Sequence, residues 1–529
     1  MPEFNDARVR KLNAEPVRQR GQYVVYWMQM FRRLNHNHAL DYAIAAAKHL
    51  KKPLVVYEAL KLNYPWASAR IHSFVLEGMQ ANAGRARKLG LNYWPFVETP
   101  DSAGRGLVKK LAADAAMIVT DDYPAYIVPA HNRAIAKLDL AVHAVDANSV
   151  VPLSLLGKPV AAAAHLRPRI HKLFAESWAN RSKVEPEFDG LAKTKLEAPL
   201  PIWDLPADLP RFVAGLPIDQ SVPPVLADVG GTEIGRQRLH EFVRDKLPRY
   251  AAERSQPDDP ERNSASGLSA HLHFGHLGIE EVIDATLNAN GPWDAEMINP
   301  KTRNKDDFFC RDANLNSYLD EAIVWRDIGH HWSAERGVQS AELKTKSWQT
   351  GETPSFNFET MDFSPLSRGT LETVLPPWAL ATLTKHASDR REYVYTLEQF
   401  EAADTHDELW NAAQLELVKT GRIHNYLRML WGKKVLEWSA SPEEAYRVLE
   451  HLNNKYALDG RDPNSYSGIL WCFGLFDRPW PPEREVFGSI RYMSSANTAK
   501  KFKLARYYDY IRRLDGRVSD PAGQAGRLF

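Results

Sequence analysis

The chain has 529 residues, of which 44% are hydrophobic and 25% charged, and its formal charge is +1 at pH 7. That suits roughly two to four soluble globular domains. It excludes a largely disordered chain and a globally basic nucleic-acid coat, although a locally basic face stays open. Cys310 and Cys472 are the only cysteines, and the first twenty residues lack an apolar stretch. A disulfide scaffold and a multi-cysteine metal site are thereby excluded, no signal peptide is expected, and a cytoplasmic protein without a membrane span is expected.

Short β-branched and aromatic runs at 22–29, 53–58, 117–122 and 141–147 alternate with helical patterns at 38–52, 70–89 and 129–137. This alternation predicts a Rossmann-like parallel sheet covered on both faces, over 1–182. Ligands of such sheets bind beyond the carboxyl ends of the strands, here marked by Trp27, Met28, Glu58, Asp121 and Asp122. No glycine-rich phosphate fingerprint follows the first strand, so a conventional dinucleotide site is not expected there. Residues 183–232 are proline-rich and aperiodic, which predicts an extended connector packed along both domains. From 233 to 515 apolar residues recur at i, i+3, i+4 and i+7, so an all-α domain is expected, followed by a loose tail over 516–529.

Four stretches of the helical half could carry chemistry. The turn Ser264–Ser269 precedes a helix; it is either a plain N-cap or a cradle of hydroxyls and N–H groups for an anion. In 421–439, Arg428 and Trp431 share a helix face, Trp438 lies two turns on, and Trp410 sits on the preceding stretch. Tryptophans at such spacing serve a core or a flat aromatic ligand. Asn453, Asn454, Asp459, Arg461 and Asp462 crowd one turn before Trp471, as a structural network or as a grip on a heterocycle. The stretch 484–513 is rich in Arg, Lys and Tyr, as a solvated face or as a phosphate-contacting rim.

Longer motifs are more specific. RVRKLN and YVVYWMQMFRR near the start, AAAHLRPRIHKL (161–173), SGLSAHLHFG (266–275), LWNAAQLELVKTGRIHNYLRMLWGKKVLEW (409–438), LNNKYALDGRDPNSYSGILW (452–471) and FGSIRYM (487–493) resemble the photolyase/cryptochrome family, specifically the class II cyclobutane pyrimidine dimer photolyases. The match runs from about residue 8 to 513. The resemblance implies an α/β antenna domain and a helical domain that holds a bent FAD, with a deazaflavin or a folate as an optional antenna chromophore. It implies that Ser266, Gly267, Leu268 and Ser269 hold the FAD phosphates with Tyr250 nearby. Arg428 and Asp459 would pair against the flavin ring and Asn453 would face its N5. Trp431, Trp410 and Trp438 would relay electrons from the surface. Trp471 would line the lesion pocket, with Asp327 bonding the lesion's bases and Arg478 and Arg491 contacting DNA phosphates. UV-damaged DNA is the expected partner, a monomer the expected state, and no metal is called for.

Several positions depart from the pattern. VWRDI stands where the family reads close to VVRREL, so Asp327 replaces a glutamate and Trp325 an arginine. His330, His331 and Trp332 follow. Ala270-His271 replaces Pro-Tyr, TDDYPAY (120–126) departs from the usual loop, and roughly twenty extra residues lie around 337–363. The flavin side is intact and the substrate side is altered. The expected activity is light-driven splitting of cyclobutane dimers. A cryptochrome-like photoreceptor is the alternative, as is repair of (6-4) photoproducts should His330 or His331 face the flavin.

Overall fold

The computed structural model of the chain describes residues 6–302, 305–335 and 371–516. The extra segment around 337–363 and the tail from 517 lie outside them. Six strands form one sheet: β1 (Val9–Lys11), β2 (Tyr23–Met28), β3 (Leu54–Leu60), β4 (Asn92–Val97), β5 (Ala115–Asp121) and β6 (Ala141–Val145). Their order is β1-β6-β5-β2-β3-β4, parallel throughout except for β1, which runs antiparallel to β6. Every residue of β2 is buried, as the unbroken apolar run YVVYWM requires of a central strand covered on both faces.

The flanking helices start where the sequence supplies caps. The Asn37 side chain accepts from the N–H groups of Ala39 and Leu40 to open His38–Leu50, and Ser68 accepts from Ile71 to open Ala69–Leu89. Two strands escape the sequence pattern. β1 is a three-residue edge strand with exposed Arg10 and Lys11, and β4 carries Pro95, which only an edge tolerates. The connector covers that second edge: Trp203 donates its N–H to the Pro95 carbonyl at 2.8 Å, and Leu196 donates to the Asn92 side chain at 3.0 Å.

The carboxylates at the strand ends serve the protein itself. Asp121 accepts from the N–H groups of Gln29, Met30 and Phe31 and from the Tyr26 hydroxyl, all between 2.7 and 2.8 Å. Glu58 is bound by Arg32, Asn82 and Tyr93, and Asp122 pairs with Arg10. At the switch point between β2 and β5, Asp121 thereby fixes the chain's turn.

From Thr232 onward the described elements are helical. The long periodic stretch at 409–438 is two helices, Glu408–Thr420 and Asn425–Trp438, because Gly421 adopts a left-handed φ of 70° and closes the first. Asn425–Trp438 packs between Glu408–Thr420 and Pro442–Tyr456. It meets Pro463–Trp471 closely at Gly432, where a Cβ would lie 2.5 Å from the Cys472 Sγ. Arg70 of the α/β half donates to the carbonyls of Tyr456 at 2.6 Å and Val418 at 2.7 Å, clamping the two halves together.

Candidate active site

The turn before Ser269 is open where its neighbours are closed. Leu268 and Ala270 are 0% and 1% exposed, whereas Ser266 and Gly267 are half-buried and Ser269 is exposed. Gly267 has a φ of 68°, and a Cβ there would lie 2.8 Å from the Arg422 Nη1, which donates to the Gly267 carbonyl at 3.0 Å. A side chain there would oblige that guanidinium to shift and would be strained by the left-handed φ. The Ser264 hydroxyl is fully buried and has no partner within the protein. Tyr318 hydrogen-bonds Ser266, and Tyr250 packs edge-on against Tyr318 at 5.2 Å, so Tyr250 stands one ring away from the turn.

Arg428 comes from the helix Asn425–Trp438, and its Nη2 donates to Asp459 Oδ1 at 3.2 Å. The two side chains keep 29% and 17% exposure in the middle of a helical bundle, so the pair faces free volume rather than packed core. Burial pushes the Asp459 carboxyl up, but the Arg428 charge and a Ser269 hydroxyl outweigh it and hold Asp459 below the usual carboxylate range. Asn453 is buried near the end of Pro442–Tyr456, its Nδ2 3.4 Å from Asn454 Oδ1. Arg461 is structural: it is 2% exposed, and its guanidinium binds the carbonyls of Asn454, Ala457 and Leu458. It thereby fixes the turn that presents Asp459. Asp462 caps the helix leading to Trp471.

The three tryptophans expected to form a relay are gathered. Trp410 and Trp431 stack with centroids 6.5 Å apart, and Trp438 lies 6.1 Å beyond Trp410. Trp431 donates its indole N–H to Gln414 Oε1 at 2.9 Å. Trp438 is itself buried, only 3% exposed. The aromatic path runs on through His406, 4.9 Å away, and Tyr395, 5.8 Å away. Tyr393 stacks on His406 at 3.7 Å and is 37% exposed, so it forms the surface end. Sequence reasoning missed these three because they sit on an irregular segment without periodicity.

Trp471 lines a cavity of about 470 Å³ with Tyr426, Met429, Trp480, Arg491 and Tyr492. Arg491 lies 4.0 Å and Arg478 4.3 Å from the Trp480 ring centroid. Arg478 is exposed, and Arg491 is tethered to Asp477 at 3.1 Å. The wall is thus aromatic and its rim cationic.

Asp327 does not join these residues. It is 1% exposed, next to Arg326 and within the field of Asp146 and Arg8, between the two halves of the molecule. Burial pushes its pKa up to about 8 against the pull of Arg326. The cause lies in the helical path: a π-turn at Asp320–Trp325 precedes it and sets the direction of the following turn. His331 binds the Gly157 carbonyl at 2.7 Å, and His330 lies edge-on to Tyr123 at 6.0 Å. Neither histidine lines the cavity at Trp471.

No protein-family model matches the chain. A deoxyribodipyrimidine photo-lyase of Methanothermobacter thermautotrophicus is 33% identical over 514 residues, covering 96% of this chain and 98% of that relative. Proteins of the same name from Arabidopsis thaliana and Potorous tridactylus are 31% and 30% identical, over 96% and 97% of this chain and 92% and 86% of their own lengths. Among solved structures, a bacterial class III photolyase from Agrobacterium tumefaciens superposes with a TM-score of 0.59 at 16% identity, over 93% of this chain and 86% of its own. A Synechocystis cryptochrome gives 0.58 at 14%, over 93% and 88%. The fold is therefore that of photolyases and cryptochromes, and by its near full-length identity to the curated relatives the chain belongs to the deoxyribodipyrimidine photo-lyase family.

Proposed function

We propose that the protein is a light-driven, FAD-dependent DNA repair enzyme of the class II type that splits cyclobutane pyrimidine dimers. The observation that carries this reading is one helix, Asn425–Trp438, which bears both Arg428, paired with Asp459, and Trp431, the inner end of the tryptophan stack. One helix thus supplies an electrostatic partner for a flavin and a route for electrons toward it.

The residues fit FAD. The open turn at Ser266, Gly267 and Ser269, the unpartnered Ser264 hydroxyl and the Arg422 guanidinium suit a pyrophosphate. FAD held by these residues, with Arg428 beside it, would supply the light-driven one-electron chemistry that opens the cyclobutane ring. Arg428, oriented by Asp459, would favour negative charge on the ring, and the Asn453 amide would bond N5 without offering an acidic proton. Trp471 offers an aromatic surface that offsets part of the cost, about a few kcal/mol, of turning a damaged step out of the stack. Arg478 and Arg491 would meet backbone phosphates. Trp431, Trp410 and Trp438 would refill the flavin with electrons drawn from outside. The open cavity with its cationic rim favours repair over a receptor without substrate.

The finer parts of the reading are the division into 1–182, 183–232 and 233–515 and an antenna chromophore, a deazaflavin or a folate, held by the first of these. The purified protein is expected to be yellow, to release FAD on denaturation, and to bleach under blue light with a thiol. A second absorbing compound in the extract identifies the antenna. Protein that stays colourless after incubation with FAD contradicts the assignment.

A further inference from the structure

Two indoles flank the same close helix contact. Trp431 precedes Gly432 on one helix, and Trp471 precedes Cys472, which Gly432 touches, on the other. The rings are chemically alike, yet their surroundings are opposite. Trp431 stacks on Trp410 and donates to the neutral amide of Gln414. Trp471 has the Lys433 Nζ 4.6 Å and the Arg491 guanidinium 5.5 Å from its ring centroid.

Of these two charges, Lys433 is the uncompensated one. It is 0% exposed, and its ammonium donates to the carbonyl of Cys472 at 2.8 Å, with that of Trp471 at 3.5 Å. Among the described residues no carboxylate lies within ion-pair distance of it. Arg491 is paired with Asp477, and Lys434, which lies 5.3 Å from Trp438, is paired with Glu437 at 2.6 Å. Burial lowers the Lys433 pKa to about 8, against the raising influence of Cys472 and Asp477, so the side chain is a cation at neutral pH. A cation over an indole steadies the neutral ring through its quadrupole. The same cation opposes removal of an electron, since the product carries a positive charge against it in a poorly screened place.

Resting on the flavin reading above, we propose that Lys433 is a positioning residue for charge: it keeps Trp471 out of the electron relay, so that electrons reach the flavin through Trp431 and the cavity wall stays reduced. The suppressed step would pass one electron from Trp471 to the light-excited oxidised flavin, leaving an indole radical cation that an external thiol would refill by giving up one electron and a proton, two resulting thiyl radicals then joining as a disulfide. Without this control the indole facing the lesion would be consumed by side oxidation.

The test has two arms. In the first, the protein as purified is exposed in the dark to radiolytic azide radicals, which oxidise tryptophan by one electron. Peptide mass spectrometry then compares Trp471 with Trp480 of the same cavity. Lys433→Met is expected to raise the Trp471 to Trp480 oxidation ratio about tenfold, and Lys433→Arg to leave it unchanged. In the second, FAD-loaded protein carrying Trp431→Phe is illuminated with thiol. Adding Lys433→Met is expected to restore photoreduction to roughly a tenth of the unsubstituted rate, and adding Trp471→Phe to abolish it again. An unchanged oxidation ratio in Lys433→Met, or restored photoreduction that survives Trp471→Phe, overturns the proposal. If no variant takes up FAD, the flavin reading and the relay fall together. The dark arm then still decides whether Lys433 shields Trp471.

Discussion

The ring planes of Trp410 and Trp431 are 6° apart, and the Trp410 indole N–H donates to the Trp431 carbonyl at 3.0 Å. The bond fixes the stack, because a buried indole N–H without a partner would cost about 1–3 kcal/mol. Two helices are thereby locked in the register that sets the spacing of the rings.

Trp410→Phe keeps most of the packing and removes the indole. Flavin photoreduction is expected to slow at least about tenfold, while repair by chemically reduced protein changes by less than about twofold. Bleaching kinetics and single-turnover repair measured side by side check this; equal losses in both would show that Trp410 only supports the fold. Trp410→Ala, by contrast, opens a large cavity at a residue that is 0% exposed. It is expected to cost about 3–5 kcal/mol in denaturant unfolding.

Gly432→Ala tests the helix contact beneath the cavity. The added methyl would meet Cys472 Sγ. Overpacking of this kind costs about 1–3 kcal/mol. Because Cys472 follows Trp471, affinity for dimer-bearing DNA should fall more than affinity for FAD. A parallel fall in both titrations would place the effect in general destabilisation.

Much of this was legible in the sequence, for physical reasons. The central strands are unbroken apolar runs with turn residues between them, and Trp431 and Trp438 stand two turns apart on one helix. Edge strands β1 and β4 were hidden because three polar-flanked residues, or a run interrupted by Pro95, carry no period. The division before residue 421 was legible, and Gly421 in the left-handed conformation is its physical cause. The motif gave Asp327 its lesion role. The structure places that side chain between the halves of the molecule, a matter of helical phase through a π-turn that residue spacing does not encode. Arg422 and Lys433 were missed because a cation's burial and its neighbours come from distant segments.

Glu416 should shape the pH dependence of stability. Burial pushes its pKa up to about 7, against a 2.7 Å hydrogen bond from the Tyr507 hydroxyl and the Arg428 charge. The folded pKa lies above the unfolded value of 4.5. Its contribution is therefore full below about pH 4.5 and is lost as pH rises through about 7. Glu416→Gln removes this loss. Between pH 5 and 8 the variant's unfolding free energy should fall less than that of the unsubstituted protein, by about 2–3 kcal/mol. Parallel pH profiles would contradict this.

The cationic rim should make DNA affinity salt-dependent. Arg478 is exposed and carries no carboxylate within ion-pair distance among the described residues. Arg478→Ala is expected to reduce the slope of log affinity against log salt by about 1, equally for damaged and undamaged strands. An unchanged slope would place the DNA path elsewhere on the surface.

The most direct measurement is repair of an oligonucleotide with one defined cyclobutane thymine dimer by FAD-loaded, reduced protein, in blue light and in darkness, followed by chromatography of the strand. Restored thymines under light alone, with a (6-4) photoproduct left untouched, are the expected result. An intact dimer after illumination, with the flavin bound and reduced, would contradict the assignment of this cavity to dimer repair.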